Sequence, residues 1–336
     1  MKKSSYGWGF IASGLMAKMM ADDLQLTEGS RIMGVTARTE ASAKKFANTY
    51  GVPNVYPSVE ELVNDPEVDI VYISTPHNLH YENALTSLKA GKPVLLEKPF
   101  TVNAAQASSL VEMAREKKLF LMEAMWIRYL PIIHQLRSIL DDGVVGQVRL
   151  FKAAFHQLLD FGPEHRLYNP ALAGGSLLDL GIYPISLASF VFGGPPTQVS
   201  SLPYIGKTGV DVRFGAVFQY EDRGMALLSA GADGLHPQDV NIYGTKGEIR
   251  LHGHQTWKYD RMTVNVYGEK EETFHAPFEG GGYSFQAEEV LHCLENGKLE
   301  SEAIPLQETV AIMETLDSIR AQWGLRYPDE SLNLTG

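Results

Sequence analysis

The amino-terminal part of the chain alternates short apolar runs with amphipathic helical patterns. The apolar runs predict strands at residues 6–12, 30–36, 68–74, 94–96 and 119–122. The helical patterns predict helices at residues 15–24, 40–50, 80–90 and 104–117. This alternation is typical of parallel βαβ units.

Individual positions strengthen this interpretation. Ala43, Phe46, Ala47 and Tyr50 fall on one face of a helix at residues 40–50. Ser58 is followed three residues later by Glu61, which completes a capping box for a short helix. Residues 68–74 contain almost no polar side chain, as expected of a parallel strand buried on both faces.

The pattern changes near residue 125. Helices are predicted at residues 131–140, 175–192, 285–294 and 306–323. Strand-like runs occur at residues 146–156, 215–220, 225–230 and 262–267, and the Gly and Asp residues that separate them favour an antiparallel sheet. We therefore predict two domains, residues 1–125 and 126–336, with no flexible linker between them.

Composition and charge narrow the function classes. Hydrophobic residues make up 44% and charged residues 21% of the 336 residues, as in ordinary globular proteins. The net charge is −11 and no block of Lys and Arg occurs, which argues against nucleic acid and anionic membranes as partners. An anionic cofactor needs only a local pocket and stays possible.

The single cysteine, Cys293, excludes an internal disulfide and is expected to be a small apolar helix residue. A reducing, cytoplasmic location is the expectation. Residues 6–20 resemble a signal peptide, but Lys18 interrupts the apolar run and the segment also fits a strand, a turn and a helix. We expect no stretch near the roughly 20 apolar residues of a membrane span.

A glycine-rich turn follows the first predicted strand, and two registers compete there. Gly7, Gly9 and Ala12 have G-x-G-x-x-A spacing, whereas Ala12, Gly14 and Ala17 have the same spacing with a small residue in the first place. The second register leaves a full strand before the turn and a helix directly after Gly14, so we favour it. Such a turn lets backbone N–H groups at a helix N-terminus approach a pyrophosphate.

Arg38 follows the second predicted strand, in a position where NAD-binding folds carry an Asp or Glu that binds the adenosine ribose. A guanidinium there can pair with the 2′-phosphate of NADP and stack on adenine. The pattern favours NADP over NAD. A solvated surface arginine is the alternative interpretation.

From Arg38 onward the chain resembles the glucose-fructose oxidoreductase / inositol dehydrogenase / MocA (Gfo/Idh/MocA) family. The matching residues include Ala37-Arg38, Asp65-Pro66, Thr75-Pro76, Ala90-Gly91-Lys92 and Glu97-Lys98-Pro99. Two further runs, LFLMEAMWIRYLP at residues 119–131 and GGSLLDLGIYPISLASFVFGG at residues 174–194, resemble the branch of dihydrodiol and NADP-dependent D-xylose 1-dehydrogenases. One departure is His77, where most relatives carry Asn.

The resemblance implies a Rossmann domain with a doubly wound parallel sheet, followed by an α/β domain built on an open, mostly antiparallel sheet. It implies a homodimer or higher homo-oligomer formed through that second sheet. The glycine-rich turn and the resemblance together predict contacts with NADP at Ala12, Ser13, Gly14, Leu15, Met16, Arg38, Thr75, Pro76, His77, His80, Glu97 and Lys98.

The candidate catalytic residues are Lys98, Tyr183 and Asp179. Asp179 and Tyr183 lie four residues apart on a predicted helix and so share a face. Oxidation of an alcohol needs a base for the hydroxyl proton, and a neighbouring ammonium lowers the pKa of a tyrosine from its usual value of about 10. By resemblance, Tyr183 is the acid/base, Lys98 tunes it and Asp179 binds a substrate hydroxyl; a core tyrosine is the alternative.

The remaining candidates are less specific. Trp126 and Arg128 are predicted either to line the substrate pocket or to pack between domains. His80 is expected to pack near the cofactor. His252 and His254 have no third ligand with suitable spacing, so we predict no metal site.

Three functions compete. The leading one is NADP-linked hydride transfer to or from a polyhydroxylated small molecule such as an aldose or vicinal diol. An inositol-type or anhydrosugar-type dehydrogenase is the second. The third, from another class, is a catalytically inactive NAD(P)-sensing regulator, which would have no need to retain both Lys98 and Tyr183.

Overall fold

The computed structural model of the protein describes residues 5–221, 223–235, 238, 240–253, 258–328 and 330. The helices are α1 (Leu15–Leu24), α2 (Glu40–Tyr50), α3 (Val59–Asn64), α4 (His80–Lys89), α5 (Ala104–Lys117), α6 (Pro131–Asp141), α7 (Ile182–Phe192), α8 (Ser284–Glu295) and α9 (Leu306–Trp323). The strands are β1 (Tyr6–Ile11), β2 (Ser30–Thr36), β3 (Asn54–Val55), β4 (Ile70–Ile73), β5 (Val94–Glu97), β6 (Leu121–Ala124), β7 (Val148–His156), β8 (Gln198–Ile205), β9 (Asp211–Gln219), β10 (Met225–Gly231), β11 (Val240–Gly244), β12 (Gly247–Leu251), β13 (Arg261–Val266) and β14 (Glu272–His275).

The first unit contains a six-stranded parallel sheet in the order β3-β2-β1-β4-β5-β6. This is the strand order of a doubly wound dinucleotide-binding fold, so the predicted Rossmann architecture is confirmed. Every residue of β4 and β5 is buried, as the apolar sequence predicts. The short strand β3 was not predicted, because two residues carry no periodic signal.

Strand β6 lies two residues later than predicted. Lys118 adopts a left-handed conformation with φ of 54°, and the Leu119 N–H donates to the Ala114 carbonyl oxygen at 2.9 Å. Residues 118–119 therefore close helix α5 rather than open the strand.

The chain divides into two compact units whose bounds differ from the predicted ones. The first unit comprises residues 1–126 and 279–309, and the second comprises residues 127–278 and 310–336. Residues 279–309 are joined to the rest of the first unit by hydrogen bonds. The buried Asp23 carboxylate on α1 accepts hydrogen bonds from the N–H groups of Gly281 (2.7 Å) and Tyr283 (2.6 Å), and the Leu121 N–H of β6 donates to Leu299.

The second unit contains an eight-stranded sheet in the order β14-β13-β12-β11-β7-β10-β9-β8. All neighbouring pairs are antiparallel except β7 and β10, which are parallel. The predicted open, mostly antiparallel sheet is thus confirmed. Alternating burial along β9 and β10 shows that one face of the sheet packs inward and the other is exposed.

The apolar helix predicted at residues 175–192 is interrupted. Leu177–Gly181 forms a π-helical segment, and α7 begins only at Ile182. Contrary to our expectation, Pro170–Phe192 is long and apolar enough to cross a membrane. An 18-residue window within it has a mean hydropathy of 1.5, but 89% of this window is buried inside the protein. Burial in the core explains its composition.

Candidate functional site

The turn between β1 and α1 retains the backbone shape of a glycine although its first small residue is alanine. Ala12 has φ of 109°, a value that residues with a Cβ rarely adopt. Its N–H donates to the Thr36 carbonyl oxygen at 2.9 Å, which ties the turn to the end of β2. The structure thus imposes the conformation that the motif requires, at the cost of local strain.

The strand and helix bounds confirm the second register of the motif. Gly7 and Gly9 lie inside β1, where glycine is needed for packing. A Cβ at Gly7 would stand 2.1 Å from the Glu67 carbonyl oxygen, and a Cβ at Gly9 would stand 2.7 Å from Leu62. These two glycines therefore belong to the sheet and not to the turn.

The beginning of α1 is open. Gly14 is the N-cap residue, it has no side chain to cap the helix, and no atom lies within 4 Å of the place where its Cβ would be. Ser13 and Met16 are half-buried, and Leu15 is exposed. The N-cap residue therefore leaves the first N–H groups of α1 without a side-chain acceptor, which suits a pyrophosphate.

Arg38 stands just beyond β2 and is exposed. Its guanidinium has no ion-pair partner among the residues that the structure describes. The following residue, Thr39, caps α2 by accepting from the Ser42 N–H. Arg38 is therefore held next to a fixed helix start while its side chain stays available to an anion.

His80 contacts two further loops at the carboxyl ends of strands, namely the loop after β4 and the loop after β5. Its Nε2 lies 2.9 Å from the Thr75 carbonyl oxygen, and its Nδ1 lies 2.8 Å from the Pro99 carbonyl oxygen. Burial, followed by the nearby His77, lowers the pKa of His80 to about 3. A neutral imidazole carries one N–H, so only one of these two contacts is a hydrogen bond at a time. His80 thus packs against both loops, and its place near the cofactor stays a prediction.

Glu97 and Lys98 follow in the next loop. Glu97 is buried at the end of β5 and accepts a hydrogen bond of 2.7 Å from the Tyr72 hydroxyl. Its other oxygen accepts from the Lys98 N–H at 3.3 Å, and the Lys98–Pro99 bond is cis. The contacts of Glu97 fix the shape of the loop that carries Lys98. Glu97 as a direct cofactor ligand stays a prediction.

Trp126 and Arg128 are both almost fully buried. The Trp126 ring lies 5.0 Å from the ring of Tyr283, within the first unit. Arg128 donates to the Ser186 carbonyl oxygen at 3.1 Å, and its guanidinium lies 4.7 Å from the Phe190 ring, within the second unit. Arg128 thus packs within the second unit, and its contact with substrate stays a prediction.

The second unit holds Asp179 and Tyr183. Tyr183 is 2% exposed and its ring stacks on that of Phe155 on β7, with centroids 5.2 Å apart. Asp179 lies in the π-helical segment, where each turn holds more residues than in an α-helix. The α-helical spacing argument for a shared face therefore does not apply unchanged to this pair.

Arg166 is a site residue that the sequence did not reveal. Its two terminal nitrogens donate to the two carboxylate oxygens of Asp179, at 3.1 and 3.3 Å. The Asp179 side chain is 7% exposed and that of Arg166 is 40% exposed. Such a two-pronged pair fixes the carboxylate geometrically. Arg166 lies 13 residues before Asp179 in an irregular segment, and no periodic signal could have indicated it.

Asp211, the first residue of β9, was also missed. Its buried carboxylate accepts from the Ser176 hydroxyl at 2.8 Å and from the Leu177 N–H at 2.6 Å, where the helical segment with Asp179 begins. Burial raises the pKa of Asp211 to about 6. The Tyr327 hydroxyl donates to the Gly174 carbonyl oxygen at 2.7 Å in the same turn.

The remaining candidates concern metal binding by histidines and the reactivity of the single cysteine. In the described part of the chain no group of three or more His, Cys, Asp or Glu side chains could hold a metal ion. His252 contacts the Thr263 hydroxyl on the neighbouring strand, and His254 lies outside the described residues. Cys293 is buried, and burial raises the pKa of its thiol to about 12, which disfavours the reactive thiolate.

Comparison with known proteins agrees with this geometry. Residues 6–125 match the model of the GFO_IDH_MocA oxidoreductase family with an NAD-binding Rossmann fold, and residues 133–250 match the GFO/IDH/MocA C-terminal domain. The trans-1,2-dihydrobenzene-1,2-diol dehydrogenase of Bos taurus is 35% identical over 96% of this chain and 98% of its own length. The D-xylose 1-dehydrogenase (NADP(+)) of Hypocrea jecorina is 36% identical over 96% of this chain and 93% of its own.

A solved structure shows the same fold. The aldose-aldose oxidoreductase of Caulobacter crescentus superposes with a TM-score of 0.86 over 96% of this chain and 98% of its own length, at 22% identity. Both domains of this chain are thus matched, in the same order, by members of one group of proteins. The chain belongs to the Gfo/Idh/MocA oxidoreductase family.

Proposed function

We propose that the protein is an NADP-dependent dehydrogenase or reductase that acts on a CH–OH group of an aldose, a related sugar or a vicinal diol. The observation that carries this proposal is the turn from Ala12 to Gly14, which keeps a glycine-like backbone and leaves the start of α1 uncapped and open. A nucleotide pyrophosphate is the ligand that such a turn fits. The names of the two relatives, a diol and a xylose dehydrogenase, support the substrate class.

Arg38 supports the choice of NADP. It is exposed and stands beside the end of β2, so it can pair with a 2′-phosphate. The xylose dehydrogenase relative is named for NADP(+), in the same direction. When bound, the nicotinamide would accept or supply the hydride.

We assign the proton chemistry to residues of this chain. Tyr183 would take the substrate hydroxyl proton during oxidation and return it during reduction. Stacking on Phe155 holds the Tyr183 ring in one orientation. Lys98, fixed by the buried loop of Glu97 and Pro99, would stabilise the phenolate form by its positive charge.

Asp179 keeps its proposed role as the residue that orients a substrate hydroxyl. The two-pronged contact with Arg166 holds its carboxylate in one position, so that a hydroxyl can be bound in one geometry. Holding the reacting carbon still is a main source of rate acceleration in such enzymes.

We further propose a homodimer formed through the open face of the second sheet. Leu202, Tyr204, Val217 and Leu227 share this face through the strand register and are 81%, 53%, 42% and 36% exposed. The same face continues over β11–β13 as a polar groove of about 460 Å³ that contains Glu248, Arg250, Arg261 and Glu271. An apolar patch beside mixed charges suits a self-complementary interface.

The decisive experiment titrates the protein separately with NADPH and NADH, following nicotinamide fluorescence. We expect tighter binding of NADPH, and a loss of roughly 10- to 100-fold for NADPH but not for NADH in Arg38→Ala. Arg31→Ala, the same change at an exposed position of β2, is the matched control. Equal binding of both cofactors would reject the NADP assignment, and binding of neither would reject the proposed nucleotide site.

The substrate class is tested by turnover. D-Xylose, D-glucose, trans-cyclohexane-1,2-diol and myo-inositol are supplied with NADP⁺, and absorbance of the reduced cofactor is followed. We expect turnover of an aldose or the diol. Turnover of myo-inositol alone would favour an inositol-type dehydrogenase, and cofactor binding without turnover of any of them would argue against this substrate class.

A further inference from the structure

The turn that precedes the helix of Asp179 and Tyr183 is built against a buried carboxylate. Gly175 has φ of 123°, and a Cβ there would stand 2.2 Å from Oδ1 of Asp211. A Cβ at Gly174 would stand 2.5 Å from the Arg166 carbonyl oxygen. Both glycines are therefore required by close packing, and the nearest group on one side is the Asp211 carboxylate.

Asp211 supplies the cap that the helix lacks in its own sequence. Ser176, the N-cap residue, makes no side-chain capping bond. Its hydroxyl donates to Oδ2 of Asp211 at 2.8 Å, and the same oxygen accepts from the Leu177 N–H at 2.6 Å. A carboxylate at the start of a helix satisfies an orphan N–H and interacts favourably with the helix dipole. A strand distant in sequence thus fixes the point where the helical segment begins.

The position of this anchor matters for the proposed chemistry. Leu177 is two residues before Asp179 and six before Tyr183, and all residues from Leu177 to Tyr183 are buried. A shift of the first turn would therefore move both side chains. Displacement of a reacting group by about 1 Å can lower a rate on the order of a hundredfold.

The Asp211 carboxylate is buried, although burial removes the water that would stabilise its charge. Asp211 is 1% exposed, and its Oδ1 is buried with no hydrogen-bond partner among the described residues. Burial raises its pKa to about 6, and the bonds from Ser176 and Leu177 and the charge of Arg320 only partly oppose this effect. Tyr327, whose pKa is raised by its own burial, also faces this carboxylate. Arg320 is itself paired with Asp317 and Glu330.

We propose that Asp211 is a positioning residue for the proposed reaction: its carboxylate fixes the first turn of the segment Leu177–Gly181 and thereby places Asp179 and Tyr183. This inference rests on the proposed function for the role of those two side chains. The anchoring of the turn itself does not depend on it. Because the pKa of Asp211 is higher in the closed turn than in an opened one, opening of the turn becomes easier as the pH rises through about 6.

The experiment uses the full-length protein and the variants Asp211→Ala, Asp211→Asn, Ser176→Ala and Asp142→Asn, the last removing an exposed carboxylate as control. One measurement is kcat and KM with D-xylose and NADP⁺ at pH 8. The other is hydrogen exchange of the peptide covering residues 174–183 from pH 5 to pH 8, corrected for intrinsic exchange. The peptide covering β9 and β10 reports on the integrity of the sheet.

We expect Asp211→Ala to lower kcat about 10- to 100-fold with KM for NADP⁺ unchanged within about twofold, and to lose protection of residues 177–183. Asp211→Asn, which keeps an acceptor, should recover most of kcat. In the unmodified protein, protection of this segment should fall as the pH rises from 5 to 7, because the closed segment binds the Asp211 proton more tightly than an opened one, and Asp211→Asn should lack this change. Ser176→Ala, which removes one donor, should move the change to higher pH.

The proposal is overturned if Asp211→Ala keeps both kcat and protection, or if Asp211→Asn shows the same pH dependence as the unmodified protein. Should Asp211→Ala also lose protection of β9 and β10, Ser176→Ala decides, and an unshifted pH dependence there rejects the proposal. Absence of turnover of D-xylose and of every other substrate tested would count against the proposed substrate class, whereas hydrogen exchange still decides the anchoring role of Asp211.

Discussion

At the level of single residues, the candidate site depends on side chains that are held by neighbours distant in sequence. The Tyr183 ring is fixed by Phe155 on β7, and the Asp179 carboxylate is fixed by Arg166. Tyr183 as an isolated residue on an apolar helix is indistinguishable from an ordinary core tyrosine. Its assignment rests on the family resemblance, and its oriented, buried environment is compatible with that role.

The first prediction concerns Tyr183. Tyr183→Phe removes the hydroxyl that moves the proton but keeps the ring that stacks on Phe155. We expect kcat to fall roughly 100- to 10,000-fold, because a positioned acid/base contributes on that order. NADPH binding should stay within about twofold. Tyr267→Phe, the same change at an exposed tyrosine of the second unit, serves as control, and near-normal turnover in Tyr183→Phe would show that another group moves the proton.

The second prediction concerns Asp211 and stability. Its pKa in the folded protein is about 6, above the ordinary value of 3.8. A raised pKa means that the folded state binds the proton more tightly, so the stabilisation is fully present below the ordinary pKa and is lost as the pH rises through about 6. The difference corresponds to on the order of 3 kcal/mol.

Urea unfolding at several pH values between 4 and 8 tests this prediction with Asp211→Asn. Titration of all other groups is common to both proteins and cancels in the difference between their free energies of unfolding. We expect the unmodified protein to gain stability relative to Asp211→Asn as the pH falls from 7 to 4. A difference that stays constant over this range would contradict the prediction.

At the level of elements, the turn between β1 and α1 places an alanine, Ala12, in a backbone conformation that favours glycine. Ala12 adopts φ of 109° while its N–H donates to the Thr36 carbonyl oxygen, and Gly14 begins α1 without a side-chain cap. A residue with a Cβ in such a conformation costs roughly 1 to 3 kcal/mol. This element therefore stores strain at the place where the nucleotide is proposed to bind.

The third prediction follows from that strain. Ala12→Gly should stabilise the protein by up to about 1 kcal/mol, because relief of the strain exceeds the additional backbone entropy of glycine in the unfolded chain. The measurement is the midpoint of urea unfolding. Ala105→Gly, the same change in the first turn of α5, should instead destabilise by about 0.5 to 1 kcal/mol. Destabilisation of similar size at Ala12 would mean that the turn carries no strain.

At the level of the whole molecule, the second sheet leaves one face exposed and partly apolar. An eight-stranded sheet with large apolar side chains on its open face is unusual for a surface that stays in water. The strand register places Leu227 opposite Val217 on this face, next to Lys152 of β7. This is the arrangement expected of an interface with a second copy of the chain.

The fourth prediction tests that interface. Leu227→Glu places a carboxylate in the centre of the proposed contact, where its desolvation would weaken association by at least about a hundredfold. Sedimentation velocity should show dimers for the unmodified protein and monomers for the variant. Leu299→Glu, at a similarly exposed leucine of the first unit, should leave the oligomeric state unchanged. A monomeric unmodified protein would reject the proposed dimer.

The sequence alone determined much of the fold. The period of apolar residues placed most helices and strands within a few positions, because burial on one face leaves a regular record along the chain. It also placed the turn at Gly14, because a strand and a helix must flank it. It showed Arg38, rather than an Asp or Glu, at the position after β2 that contacts the adenosine ribose in NAD-binding folds. Family motifs nominated Lys98, Asp179 and Tyr183, although their roles remain proposals.

Only the tertiary structure decided the rest. The contacts of Arg166 with Asp179 and of Asp211 with Ser176 join residues 13 and 35 positions apart, and such pairings leave no periodic signal. The return of residues 279–309 to the first unit depends on the buried Asp23, which reads in the sequence as a surface residue of α1. The π-helical segment Leu177–Gly181 was likewise not predicted from the sequence. Local sequence fixes which backbone states are favourable, whereas long-range contacts select among them and orient the side chains that carry the chemistry.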